Sequence, residues 1–257
     1  MSELSIEATQ AILQDVFGRC TFRLWHPTRE DWTAEDPRDQ VEQAPTPAAD
    51  LVAVDHRQSP ADRLAAIERD LGVCERCILC RERRNIVFGT GNPDADLLII
   101  GEAPGEQEDA QGVPFVGASG LKLDAMLQNV LGLAREEVYI LNVVKCRPPR
   151  NRNPNADELE SCLPFLHRQV ASVSPKVILL MGTVALKSLF ETNQGITRNR
   201  GKWRSYNDIP VMPTFHPAFL LHNKEKKNVR LVWQDLVDLR DRMDELGIDR
   251  APIESRP

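Results

Sequence analysis

Short, fully apolar runs alternate along this chain with stretches in which apolar residues recur at helical spacing. Leu97–Ile100 (LLII), Val138–Val144 (VYILNVV), Val177–Met181 (VILLM) and Ile209–Thr214 read as strands buried on both faces. Helical periodicity marks Ala61–Leu71, about Gly120–Leu131, the stretch from Asn155 to about Val173, Val184–Phe190 and Val229–Leu246. Asn155 followed three residues later by Glu158 has the form of a capping box opening one of these helices. Apolar strands alternating with amphipathic helices predict an α/β fold, a three-layer α/β/α sandwich around a central parallel sheet of four strands. Such sheets carry their sites beyond the carboxyl ends of the strands. The loops after Ile100, Val144, Met181 and Thr214 are therefore expected to converge.

The pattern stops at the amino-terminal side. Residues 1–26 read as a short extension. Residues 27–60, rich in Pro, Asp, Glu and Ala without sustained periodicity, read as an acidic linker with no fixed order. Residues 61–257 form the expected folded domain. Composition fits one full core, with 42% hydrophobic and 27% charged residues among 257. The net charge of −6 at first argues against a nucleic-acid partner, but residues 1–60 carry 11 acidic and 5 basic side chains and the remainder balances at 27 of each. Local potential, not the total, governs such binding, so a basic face on the folded domain stays open. No run of about eighteen apolar residues exists to span a membrane. The first residues lack the basic and then apolar order of a secretory signal, so a cytoplasmic location is expected.

Three of the four loops carry candidate chemistry. Gly101–Asp109 (GEAPGEQED) follows the first strand, and its Gly-Pro turn would bring backbone N–H groups against a planar or anionic ligand. An ordinary strand-to-helix turn would look the same. Phe115 lies among turn residues in PFVGASG, suited to capping the core or to stacking on a base. Asn142 sits inside an apolar strand, where its carboxamide needs partners: a structural hydrogen bond, or a base edge. His216 leaves a strand end just before a proline. After it, Phe219, Leu220 and Leu221 run towards Lys224, Lys226 and Lys227, a sequence that suits an apolar wedge beside phosphate contacts or a helix packing inward.

The six cysteines are Cys20, Cys74, Cys77, Cys80, Cys146 and Cys162. In a reducing compartment such clustering points to metal or catalysis rather than disulfides. Zinc and a [4Fe-4S] cluster both accept four thiolates, and CERCILC leaves Cys77 and Cys80 as competing ligands.

Taken together, CERC, VFGTGNPDADLLIIGEAPGEQED, GVPFVGASG, NVVKCRPPRNRNP, ELESC, RGKW and FHPAFLL resemble the family 4 uracil-DNA glycosylases, in order and in spacing, over about residues 70–245. The resemblance implies that residues 61–257 are a catalytic domain that flips uracil out of DNA and hydrolyses its N-glycosidic bond. It implies a [4Fe-4S] cluster held by Cys74, Cys77, Cys146 and Cys162, with Cys80 an additional thiol. By the same resemblance Phe115 stacks on the flipped base, Asn142 reads O4 and N3–H, and Glu108 stands near the wall that excludes the thymine methyl. His216 donates to O2 as charge develops there, and backbone groups around Gly101, Glu102 and Ala103 assist. Ala103 occupies a position where better-known uracil glycosylases carry aspartate, which leaves Glu102 to position water or stabilise the cationic sugar. Contacts to uracil-containing DNA, single- or double-stranded, are expected from Arg147, Arg150, Arg152, Leu220, Leu221 and Lys224, and the protein is expected to act as a monomer. The competing function is a non-catalytic iron–sulfur or zinc module that binds nucleic acid in replication.

Overall fold

In the computed structural model, residues 42–43, 57–190, 192–223 and 225–251 are described. The extension 1–26 with Cys20, most of 27–60, and Lys224 lie outside them. Among the described residues there are seven strands, β1 (Glu42–Gln43), β2 (Thr90–Gly91), β3 (Leu97–Gly101), β4 (Tyr139–Asn142), β5 (Val177–Met181), β6 (Arg204–Tyr206) and β7 (Ile209–Thr214). They form a single sheet in the order β1-β6-β7-β5-β3-β4-β2.

The four apolar runs read from the sequence are its centre. β7, β5, β3 and β4 are neighbours, and every pairing among them is parallel. Every residue of β3, β4 and β5 is buried, as expected when helices cover both faces. The remaining strands are short edges: β2 is antiparallel to β4, β6 antiparallel to β7, and β1 parallel to β6. β6 and β7 form a hairpin whose turn residues, Asn207 and Asp208, both have positive φ (48° and 65°), as a tight primed turn requires. One edge strand, Glu42–Gln43, comes from the stretch read as linker.

Asn142 stands at a boundary that positions the site. The run Val138–Val144 is strand only as far as this residue, so it ends β4 instead of lying within it. Val143 and Val144 turn away, donating their N–H groups to the carbonyls of Gly101 and Glu102 at 3.0 Å each. The expected helices form at Pro60–Leu71, Ala118–Met126, Ala156–Val173, Thr183–Phe190 and Lys226–Glu245. The second continues as a wide turn over Leu127–Leu131. Glu158 accepts the Asn155 N–H at 2.8 Å, half of the expected capping box. The short helices Glu106–Gln111, Ile196–Asn199 and Pro217–His222 lack the length to register as periodic.

Candidate functional site

Gly101, Asn142 and Met181 end three adjacent parallel strands, and Thr214 ends the fourth. In the ladders Gly101 faces Asn142 and Met181 faces Thr214. A Cβ at Gly101 would lie 2.4 Å from Asn142 Oδ1 and 2.5 Å from Phe115 Cζ. Only glycine lets the carboxamide and the ring approach so closely. Asn142 is 2% exposed, and its Oδ1 is buried with no hydrogen-bond partner. An unfilled buried acceptor costs about 1–3 kcal/mol, a penalty that a ligand bearing an N–H would relieve. Behind it, the fully buried Lys145 donates from Nζ to the Asn142 carbonyl at 2.6 Å.

Phe115 holds a left-handed backbone (φ 53°), uncommon for a bulky residue, and its ring is buried. That ring stacks on His216, with centroids 5.5 Å apart and planes 28° from parallel. His216 precedes the Pro217–His222 helix, and its Nδ1 accepts the Ala218 N–H at 3.2 Å. Burial lowers its pKa to about 4, a fall that the charge of Glu108 only partly opposes. At neutral pH the imidazole is thus uncharged. With Nδ1 used as acceptor, the proton resides on Nε2, free to be donated.

Glu102 is half-buried in the turn after β3. Burial raises its pKa, with no charge or hydrogen bond offsetting it. Ala103 beside it is half-buried as well. Glu108 is engaged differently. Its carboxylate accepts three backbone N–H groups, from Gly105 at 3.1 Å and from Val116 and Gly117 at 2.9 Å each. It therefore ties the GEAPG turn to the loop that carries Phe115. Asp109 next to it accepts the N–H groups of Arg84 and Asn85 at 2.9 and 3.3 Å, joining the same helix to the cysteine-bearing segment.

Cys146 and Cys162 are buried, and Cys74, Cys77 and Cys80 are partly exposed. Burial pushes the Cys146 thiol up to about 11 and raises Cys77 and Cys162 too, with neighbouring thiols adding their charge in each case. The coupling runs across Cys74, Cys77, Cys146 and Cys162, while Cys80 acts on Cys77. Two guanidinium groups face these sulfurs. Arg83 donates to Cys146 Sγ at 3.1 Å and to the Cys74 carbonyl at 2.7 Å. Arg76 has its pKa raised first by a hydrogen bond to the Cys74 thiol. Among the described residues no group of three or more His, Cys, Asp or Glu is placed to hold a single metal ion.

The residues expected to meet DNA divide. Arg150 is exposed and left-handed (φ 55°), next to Asn151 in the same conformation. With Glu82, Arg147, Pro148 and Pro149 it lines a recess of about 250 Å³. Arg147 meets Glu106 at 3.5 Å and Asn151 at 2.8 Å. Arg152 is committed to the fold, gripping the buried Glu158 carboxylate with two nitrogens at 2.8 and 2.6 Å. Leu220 is 4% exposed and packs inward, so it is no wedge. Helical geometry turns it to the core and leaves Leu221 half-buried and Phe219 exposed, the latter resting on Phe215 with centroids 4.7 Å apart. Lys226 and Lys227 are exposed in the first turn of the Lys226–Glu245 helix.

Sequence reading did not single out Lys145, Arg83 or Asp235. Only the last left a signal: an acid on the apolar stripe of Val232, Leu236 and Leu239 in an amphipathic helix.

Residues 88–239 match the family model of the uracil DNA glycosylase superfamily. The Type-4 uracil-DNA glycosylase of Sulfurisphaera tokodaii is 43% identical over 176 residues, 65% of this chain and 80% of that protein. Those of Thermotoga maritima (42%; 63% of this chain, 85% of that one) and Archaeoglobus fulgidus (40%; 64% and 86%) are similarly related.

Proposed function

The chain belongs to the Type-4 uracil-DNA glycosylases of the uracil DNA glycosylase superfamily, and from that premise we propose how its residues carry out the reaction. It is a DNA-repair hydrolase that removes uracil from DNA by cutting the N-glycosidic bond and leaving an abasic site. A base within a duplex is out of reach, so the nucleotide is extruded into the pocket. Phe115 supplies the face on which uracil stacks. The unpartnered Asn142 Oδ1 accepts N3–H, and the amide nitrogen donates to O4. Cytosine presents the reverse pattern at that edge and is refused. Glu108 acts on specificity through the backbone it fixes, which sets the wall opposite C5 against thymine's methyl group.

As the bond between C1′ and N1 breaks, its electron pair leaves with uracil and charge gathers on O2. The Nε2–H of a neutral His216 meets that charge, and a fixed donor in a water-poor site is worth far more than one in solution. Backbone of Gly101 and Ala103 lines the same turn. Glu102 faces the cationic sugar and orients the water that adds to C1′; Ala103 has no side chain for that task.

The donor set also suits a [4Fe-4S] cluster. Guanidinium groups aimed at sulfur favour thiolates, the form that binds metal, and Cys74, Cys77, Cys146 and Cys162 are electrostatically coupled. These four would hold the cluster, which would fasten the 147–152 loop to the domain; glycoside hydrolysis needs no electron from it. Arg147 and Arg150 supply cationic contacts to DNA phosphate, and Phe219 with Leu221 the apolar contact. Lys226 and Lys227 lie in the first turn of their helix, where its dipole adds to the attraction for a phosphate. Lys224 precedes them in the sequence. Among the described residues no helix is long and apolar enough to cross a membrane.

The observation that carries this reading is the meeting of Phe115, an unpartnered Asn142 Oδ1 and a neutral His216 at the carboxyl edge of the parallel sheet. Purified protein, checked for the absorbance near 400 nm that a cluster gives and zinc does not, is incubated with a uracil-containing oligonucleotide and then treated with alkali. Cleavage at the uracil position is expected. An intact strand after incubation with coloured, folded protein would overturn the reading.

A further inference from the structure

His216 owes its position to the end of β7, and the structure shows what fixes that end. Thr214, the last residue of β7, is fully buried and donates from Oγ1 to Asp235 Oδ2 at 2.6 Å. Its carbonyl accepts the Gly182 N–H at 3.0 Å, at the tip of the neighbouring strand β5. Asp235, also fully buried, lies mid-way along the Lys226–Glu245 helix. Its carboxylate takes two donors from Arg200: Nε at 2.9 Å on Oδ2, and Nη2 on Oδ1. Arg200 in turn donates to the Leu231 carbonyl at 2.7 Å, and its guanidinium lies 6.0 Å from the centre of the Phe215 ring.

The backbone is shaped around this carboxylate. Gly201 has φ +70°, and a Cβ there would fall 2.7 Å from Asp235 Oδ1. Its N–H donates to the Pro213 carbonyl at 3.0 Å. The glycine of RGKW is thus where the chain passes against the acid, and Pro213, Thr214 and Phe215 are each touched by the Arg200–Gly201–Asp235 group immediately before His216.

A buried ion pair is a poor source of stability, because desolvation cancels most of the attraction; specific geometry is the better reason to keep one. Nothing in bond breaking uses Asp235 directly. We propose that Asp235, through Thr214 and Arg200, is a positioning residue that aims the His216 imidazole at the uracil oxygen. The proposal rests on the glycosylase reading of the pocket. It draws on the mechanics of the site: misplacing a donor by about 1 Å can cost on the order of 10²-fold in rate.

The test is a double-mutant cycle in the full-length chain, read as the single-turnover rate on a uracil-containing oligonucleotide, with DNA affinity and thermal midpoint measured alongside. Thr214→Val removes one hydroxyl and breaks the link between strand and acid. It is expected to slow uracil release by roughly tenfold with DNA affinity unchanged. In a His216→Ala background the same change should cost less than about twofold, because the group it serves is gone. Asp235→Asn should follow the same pattern with a larger first effect; should it fail to fold, the Thr214→Val cycle stands alone. Equal losses in both backgrounds, or no loss in either, overturn the positioning role. Wild-type protein that releases no uracil would sink the glycosylase reading itself, whereas an active wild type with a neutral Thr214→Val sinks only the inference.

Discussion

At the tips of β3, β4 and β7 polar groups stand ready for a visitor, whereas around the cysteines the charged groups are already engaged with the protein. Asn142 keeps a buried oxygen without a partner, and Glu102 sits in a half-buried turn with nothing to offset its charge. On the other side Arg83 holds both Cys146 and the Cys74 carbonyl, and Arg152 is bound to Glu158. The contrast teaches where activity and stability reside. A pocket that must bind and release keeps unsaturated groups and relies on close packing to aim them; a fastening region saturates its groups and gains rigidity. Changes in the first region should fall on rate, and changes in the second on the folded state.

The largest expected effect tests the first half of that contrast. His216→Ala should lower the single-turnover rate by about 10²–10³-fold, the usual penalty for losing one donor to a developing anion. A loss below roughly tenfold would remove the imidazole from the chemistry. Next, Gly101→Ala forces a methyl between the Asn142 amide and the Phe115 ring. It should cut the rate by about 10²-fold through misplacement and lower stability by about 1–3 kcal/mol through overpacking, followed by denaturant unfolding. Full activity in that variant would mean the two groups do not work as a pair. In the second region, Arg152→Gln should lower the thermal midpoint by stranding the buried Glu158 carboxylate and leave the rate of uracil release unchanged. A slowed rate at an unchanged midpoint would blur the distinction between the regions.

The smallest effect is the pH profile. With its pKa lowered to about 4, His216 stays neutral well below the pH where an ordinary histidine, at 6.5, takes up a proton. The acid limb of the rate should therefore fall near pH 4, not 6.5. Stability should respond over a wider range. Between about 6.5 and 4 the unfolded chain binds the proton and the folded one does not, so the neutral-histidine contribution is complete above 6.5 and is lost as pH falls through that window. Calorimetry on wild type and His216→Ala separates this contribution from those of other groups.

How far the sequence foretold this molecule depends on what each feature is made of. LLII and VILLM could be read because burial on both faces demands unbroken apolar runs. Asn142 stood out as a polar residue within such a run, and His216 as one leaving the end of a run. The edges of the sheet could not be read in the same way: β2 and β6 are two or three residues long and owe their existence to pairing, although the Asn207–Asp208 turn was a local clue to the hairpin. Leu220 and Leu221 look equivalent in sequence, yet helical rotation buries the first and not the second. Arg152 looks like any cation of a basic loop until its partner at Glu158 is seen. Contacts between residues distant in the chain are not written in either segment: the apolar stripe around Asp235 marks the acid as buried but does not name Thr214 as its partner.

Asn142 and Cys146 are four positions apart, and Lys145 between them donates to the carbonyl of Asn142. The carboxamide proposed to read uracil and a thiol at the heart of the fastening region therefore share one short tether, with little slack to absorb movement at either end. Damage to that sulfur would therefore loosen the folded state first and reach the Asn142 carboxamide through this tether.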